Sequence, residues 1–476
     1  DSVALRFADM LTSSPFDVIS PTRTFQYRGA AKAGAAQALK ADFLIDGDIR
    51  REHGLIQVTM RLVDGHSNTT VVAGTFERPA AEADSVPDEI AVKMASLTTM
   101  TRGLKMSAGW DPRVIAAYFR ANYLAGARND FYGANETARE AARIAPYDAF
   151  AQTLHGYMAA YLVDILPPDR KPAMVAEARE AANSAIQLDP GCGDAYAVLA
   201  LITPPFDWAV REQYLKRALA ILPDAQTAQI QLIELLQNAG RFHESGLAAE
   251  SLFARGPSQM RPLVEVINTR LWQGQPGVPA LIARGRKAMK YSEMGVQYSK
   301  MPWFVAKLFE VAAFHGAPGD AEALMRDPTV RNLLEQDSRP TFSRIAVALH
   351  HHRRADVDAA AGDCTKPDDR SAEVTRTCFM ALVALERLDD AFRLAAIFYP
   401  DQRGATPQER QQRWFSAKMM SVAYLLIPQM VPLRADPRFR EVAERIGLLQ
   451  YWQSSHHPPD FCLAEKAPVC ALLKSS

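Results

Sequence analysis

Pro190, Pro223 and Pro257 follow one another at spacings of 33 and 34 residues. A period of that length constrains the chain more tightly than any single motif in it, because it belongs to stacked helical hairpins. Each unit reads as a short helix with small residues (Ala195, Ala197, Ala200), a turn, and a longer helix ending in a run such as RALAILP. Proline lacks a backbone donor and restricts the residue before it, so once per unit it marks where a second helix stops. One hairpin exposes an apolar face it cannot cover, whereas neighbours stacked side by side bury a continuous core. From Pro146 to Pro190 the spacing widens to 44, and the excess is assigned to a loop insertion over Ile165 to Pro172. An all-helical domain without true repetition is the alternative.

The unit resembles the tetratricopeptide repeat. The matches are Leu154, Gly156, Tyr157, Tyr196 and Leu199 on first helices, then Leu215, Ala218, Leu219 and Leu222 on a second helix, and the terminal proline. Trp110 to Arg143 reads as the first repeat, with a turn near Asn129. After Pro257 the period loosens, although helix pairs continue to a buried helix end at Met419 to Leu433. That run is too short to span a bilayer and carries Gln429 and two prolines.

The first hundred residues lack the repeat. Ser2 to Ser13 has helical periodicity, FDVIS reads as a short strand, and GAAKAGAAQALKA as a helix of small residues. Three strands follow, in FLIDGDIRR, LIQVTMRLVDG and TTVVAGTFERP, then a helix over Asp88 to Leu104. This unit resembles the TolB amino-terminal-like domain through Phe25, Tyr27 and Gly29, through Leu44, Gly47, Ile49 and Arg50, and through Val58, Leu62 and Asp64. Members of that family carry a further strand before the first helix and often a tryptophan on the last strand, where this chain has Val71 and Val72. The resemblance therefore implies that the chain is truncated or lacks one strand. The expected fold class is α+β: a TolB amino-terminal-like α/β domain over 1–105, an all-α tetratricopeptide-like solenoid over 106–445, and a C-terminal cap over 446–476.

The ending resembles that of CadC-like and ToxR-like membrane-integrated regulators, or of membrane-bound class III nucleotide cyclases, with periplasmic repeats. Asp436, Pro437, Phe439, Gly447, Tyr451, Trp452 and Pro459 to Cys462 carry the likeness. Capping is its expected task, with Trp452 and Phe461 hiding the open end of the last repeat.

With 54 basic and 54 acidic side chains the net charge is zero, so no overall field draws the chain to nucleic acid or an anionic membrane. Four of the five cysteines form two close pairs, Cys364 with Cys378 and Cys462 with Cys470. Closing loops of that size stabilises a segment by about 2 to 3 kcal/mol in an oxidising compartment. Local pairing is the hypothesis; connectivity stays open at this level, and reduced cysteines in the cytoplasm are the alternative. Cys192 is left as a free thiol.

No phosphate-cradling, zinc-hydrolase or nucleophile-elbow motif occurs, so the chain is read as no enzyme, with no cofactor and no metal. His350, His351 and His352 are adjacent and diverge around a helix, which favours a solvated helix end over a shared ion. His456 and His457 receive the same reading. Acidic clusters such as DCTKPDD and ERLDD are taken as solvated turns and faces. Tyr157, Tyr161, Tyr196, Trp272 and Trp303 fall on first helices, which line the inner surface of such solenoids; core packing is the plain reading of each, and together they would form a ligand groove. The resemblances imply a sensory or interaction module, the periplasmic part of a one-component transcriptional regulator. It would bind a protein or small ligand in the solenoid groove or at the domain junction and no nucleic acid itself, shift the membrane-proximal domain or its homodimerisation, and meet the membrane only through a segment upstream of Asp1. A regulatory part of a nucleotide cyclase and a free periplasmic scaffold are the alternatives.

Overall fold

The computed structural model describes residues 18–86, 90, 111–128, 130–255, 260–289, 302–366, 371–416 and 420–473. The expected helix at Ser2 to Ser13 and most of the one at Asp88 to Leu104 lie outside them. Of FDVIS, Val18 to Ser20 form no strand.

The N-terminal unit is an antiparallel meander of β1 (Phe43–Glu52), β2 (Leu55–Asp64) and β3 (Thr70–Pro79) in that spatial order. Along β2 the period-two alternation is complete: Ile56, Val58, Met60 and Leu62 are buried while the residues between them are half-buried. The predicted helix of small residues splits into a 3-10 turn over Gly29–Gly34 and one α-turn over Ala35–Leu39.

Eight helix hairpins follow among the described residues: α1 (Pro112–Ala127) with α2 (Phe131–Ile144), α3 (Ala149–Ile165) with α4 (Lys171–Leu188), α5 (Gly193–Leu201) with α6 (Trp208–Ile221), α7 (Gln226–Asn238) with α8 (Phe242–Arg255), α9 (Met260–Trp272) with α10 (Val278–Met289), α11 (Pro302–Phe314) with α12 (Asp320–Arg326), α13 (Arg339–His351) with α14 (Arg354–Cys364), and α15 (Ala372–Ala384) with α16 (Leu388–Phe398). Their starts follow local chemistry. Asp111, Asp130 and Asp148 each accept a hydrogen bond from a first-turn amide of the helix they precede, at 2.9, 2.8 and 2.9 Å. Small residues allow close stacking: Ala178, Ala182, Ala195, Ala197, Ala218 and Ala228 are fully enclosed. Gly156 lies where α3, α4 and α5 converge, and a Cβ there would come within 3.2 Å of Val198 Cγ1 and 3.4 Å of the Ala178 carbonyl oxygen.

The wide spacing between Pro146 and Pro190 is taken up differently from the expected loop insertion. The connection between α3 and α4 is short, and the helices themselves are 17 and 18 residues long, against 9 and 14 in the next hairpin.

Helix α3 is the seam of the molecule. Its Phe150, Leu154 and Met158 join the sheet, α1 and α2 in one core, while its Tyr157, Ala160 and Val163 begin a second core that runs to Cys470. After α17 (Pro407–Ser416) the chain turns back in short pieces, ending in α18 (Arg438–Arg445), α19 (Leu448–Ser455) and two single turns.

This return touches the last hairpin, where Arg438 pairs with Asp389 and lies 4.3 Å from the Phe392 ring centroid, and it also reaches back well beyond the expected cap. Trp452 is 1% exposed and its indole N–H donates to the Ala239 carbonyl at 2.8 Å, in the α7–α8 turn at mid-solenoid. Trp208, at the start of α6, donates in the same way to Ile446 at 2.8 Å. Asn238 accepts from Ser421 Oγ at 2.8 Å, and the His243 amide donates to Asp460 at 2.7 Å. Residues 420–473 therefore lie against the middle hairpins as well as the last one, and Val422 to Ile427 are buried there.

Candidate functional site: the first-helix face

The first helices α3, α5, α7 and α9 pack in a row, and their side chains on one side form a continuous strip. Tyr157 and Tyr161, one turn apart on α3, have near-parallel rings 6.2 Å apart. The buried Tyr157 hydroxyl donates to Asp194 Oδ1 on α5 at 3.1 Å, and Asp194 Oδ2, equally enclosed, has no partner. Burial pushes the Asp194 carboxyl up to about 7, opposed only by the Tyr157 hydrogen bond. Farther along, Glu265 on α9 is buried and accepts from Gln237 at 3.1 Å; its carboxyl is also raised by burial, against the pull of Arg261. Arg261 pairs with Glu234. Half-buried Thr227 and Asn268 complete the strip, and Asn268 Oδ1 is without a partner.

The downstream half of the same face is closed by the chain itself. Trp272 and Trp303, expected to line a groove, surround Lys307 of α11, whose Nζ lies 5.7 Å from each ring centroid. Tyr424 from the returning segment is the third wall at 5.2 Å and also accepts from Lys307 at 2.7 Å. Glu310 supplies the counter-charge at 2.7 Å. Trp272 is 4% exposed, packed edge-on against Tyr424 with centroids 5.5 Å apart. An aromatic enclosure that sequence reading assigns to a ligand thus holds the protein's own ammonium group. Tyr196 belongs to neither half: it packs beneath Arg217 of α6, 5.8 Å from the guanidinium carbon. Of the five aromatic candidates, Tyr157 and Tyr161 stack on each other in the upstream half, Tyr157 buried and Tyr161 half-buried.

Sequence reasoning missed Asp194, Glu265 and Asn268. The available signal was register: counted from the preceding proline, Asp194, Thr227 and Arg261 occupy the same place in three successive units. It also missed a cleft of about 460 Å³ outside the row, of mixed lining, with Val175, Arg179, Glu180, Asn183 and Gln187 of α4 and Gln411 of α17. Two acidic residues expected in solvated clusters are buried: Asp363 pairs with Arg344 and Lys366, and Asp390 with Arg387 and Arg393.

Cys364 is joined to Cys378, and Cys462 to Cys470; Cys192 is a buried free thiol, 3.1 Å from Thr153 Oγ1. The first bridge ties α14 to α15 and the second closes the end of the returning segment. Such bridges are compatible with an oxidising compartment. No helix among the described residues is long and apolar enough to cross a membrane. Reduction is expected to cost about 2 to 3 kcal/mol per bridge, read as a lower urea midpoint. Non-reducing peptide mass spectrometry should find these two linkages; four free thiols in protein from an oxidising compartment would contradict them.

No family model and no curated protein matches the chain. Among solved structures it is similar to a human IFIT1 dimer with PPP-AAAA, at 11% identity and a TM-score of 0.35, over 60% of this chain and 70% of that one. A human IFIT1 dimer with m7Gppp-AAAA matches at 14% and 0.34, over 67% and 78%. A monomeric IFIT1 mutant with the same capped ligand matches at 13% and 0.33, over 66% and 76%. The hairpin architecture of this chain stands on its own helices. It is a tetratricopeptide-like repeat protein with an N-terminal three-stranded sheet, a fold suited to binding a protein or a ligand.

Proposed function

We propose that the chain is a non-catalytic recognition module whose ligand docks on the upstream first-helix strip, between Tyr161 and Asn268. The observation that carries this reading is the enclosed Asp194 carboxylate oxygen without a partner, beside the stacked tyrosines. A buried acceptor left unsatisfied costs free energy that an incoming donor recovers. With Glu234 and Glu265 on Arg261 and the Asp194 carboxyl beneath the tyrosines, acidic groups outnumber basic ones, and the strip favours a ligand bearing an amine or guanidinium group, set against the Tyr161 ring. The biological setting proposed is the periplasmic part of a one-component transcriptional regulator, in which binding shifts the equilibrium between two states of the module. The disulfides support that compartment, and the resemblance of the ending supports that class.

The test is a thermal-shift panel of amines, amino acids and short basic peptides on the oxidised chain, repeated with Asp194→Asn and Tyr161→Ala. A ligand that raises Tm in the wild type and in neither variant supports the proposal. A ligand that stabilises all three equally, or none in the panel, contradicts it. The sequence preceding Asp1 in the gene separates the settings: a basic winged helix and membrane span for a regulator, a cyclase domain or a bare signal peptide for the alternatives.

Asp194 also sets a pH dependence. Its folded value of about 7 exceeds the ordinary 3.8, so over that window the unfolded chain releases a proton that the folded chain keeps. Its contribution to stability is fully present below pH 3.8 and is lost as pH rises through about 7. Asp194→Asn is therefore expected to exceed the wild type in urea midpoint at about pH 8 and to converge with it toward about pH 4. Parallel profiles would contradict the assignment.

A further inference from the structure

We propose that Glu322, His350 and His351 form a binding site for a first-row divalent transition-metal ion such as Zn2+. The site lies where α12 meets the end of α13. Adjacent histidines diverge around a helix, but the local geometry brings two of these three to one carboxylate. His350 presents Nδ1, close to its backbone, and His351 presents Nε2, at the far tip of its ring; the two atoms lie 2.7 and 3.5 Å from the same Glu322 Oε2. All three donor atoms fall within 4.8 Å of one another.

Zinc holds imidazole nitrogen and carboxylate oxygen at about 2.0–2.2 Å. Donors around one ion are then roughly 3–3.5 Å apart, so an ion needs the His350–Glu322 contact to open by about half an ångström and the His351 contact hardly at all. Two imidazoles and one carboxylate are the donor set of borderline metals; magnesium and calcium prefer oxygen alone.

The surroundings hold this cluster in place. Arg326 takes the other Glu322 oxygen and fixes the carboxylate's orientation. The two imidazole rings are stacked with centroids 4.2 Å apart. Gly319, with φ of 94°, begins α12 directly beneath the His350 ring, where a Cβ would lie 3.2 Å from Cε1. The helix stops at once beyond the pair, with His352 in the left-handed conformation at φ 50°. Glu322 is 14% exposed, and His350 and His351 are 35% and 39% exposed. The ligands are therefore reachable from solvent, and a fourth coordination position is left to water or another donor. An ion here would tie the sixth hairpin to the seventh, so binding is expected to raise Tm by mass action.

The test is calorimetric titration of ZnCl2 into the untagged, EDTA-treated chain, with Tm read in parallel. One Zn2+ per chain is expected. Loss of even a ligand's outer partner typically weakens a metal about 10–100-fold, so Glu322→Gln, His350→Ala and His351→Ala should each weaken it by about a hundredfold or more and abolish the Tm increase. His456→Ala/His457→Ala, which removes the other adjacent histidine pair, should leave the titration unchanged. Because the ligands are partly exposed, circular dichroism of each variant should match the wild type. Absence of stoichiometric Zn2+ uptake by the wild type, uptake retained in all three ligand variants, or uptake lost in the His456/His457 variant would each overturn the assignment.

Discussion

Trp452→Ala is expected to destabilise the chain by about 3–5 kcal/mol, read as a fall in the urea midpoint with an unchanged or smaller m-value. Three losses combine. The indole is 1% exposed, so its removal leaves a cavity that the surrounding helices fill only in part. The Ala239 carbonyl loses its donor at a helix turn with no access to replacement solvent. The ring also packs edge-to-face on Phe461, with centroids 6.0 Å apart, and Phe461 in turn lies 4.7 Å from the guanidinium carbon of Arg434. Arg434 is wholly buried; it holds Glu465 with two nitrogens and the Leu425 and Ile427 carbonyls with a third, at 3.1 and 2.8 Å. Loosening Trp452 therefore weakens the whole return against the middle hairpins. If it merely capped the last repeat, the loss would be confined to α15 and α16, with α7 unaffected in hydrogen exchange.

Lys307→Met should cost about 3–4 kcal/mol, and the double variant Lys307→Met/Glu310→Leu should recover most of that loss. Breaking a buried pair leaves an uncompensated charge, whereas replacing both members with apolar groups of similar volume removes the cost of desolvating either. Lys307 is 1% and Glu310 3% exposed, so Glu310 cannot turn to bulk water when its partner is removed. Arg376, whose guanidinium carbon is 5.6 Å from the Tyr424 ring, also feels the Glu310 charge and keeps the cost below the upper end of the usual range. Tyr424→Phe is the control: it removes one hydrogen bond and keeps the ring, and about 1 kcal/mol is expected. A double variant no more stable than Lys307→Met would show that packing of the lysine stem, not charge pairing, holds this site.

The repeat was legible because its cause is local. Prolines at 33 and 34 residues, alanines at helix crossings and aspartate caps report on each hairpin independently of its neighbours. The three strands were legible for the same reason, since β2 alternates residue by residue. What stayed hidden depends on contacts between distant parts of the chain. Trp452 meets Ala239 across 213 positions, and Lys307 meets Tyr424 across 117; nothing in the local pattern of either partner encodes the other. An ending with several aromatics is compatible with a cap and with a return, and only the fold separates them. The aromatic candidates divided along that line: Tyr157 and Tyr161 stack on each other in the upstream half, while Trp272 and Trp303 are claimed by Lys307 and Tyr424. The histidine run shows a complementary limit of sequence pattern. The divergence rule concerns Cβ directions, and it does not hold for long side chains at a helix end, where Nδ1 of one ring and Nε2 of the next reach a single carboxylate.

The account turns on the chain covering the downstream half of its own first-helix face while leaving the upstream half free. Hydrogen–deuterium exchange on the intact, oxidised protein tests this most directly. Amides from Val422 to Ile427 and in α19 should exchange as slowly as those in the core of α7, because both sit in one enclosed cluster. Exchange of 422–455 within seconds, with α7 still protected, would contradict it: the return would then be a mobile appendage, and Trp272 and Trp303 would rejoin the open face.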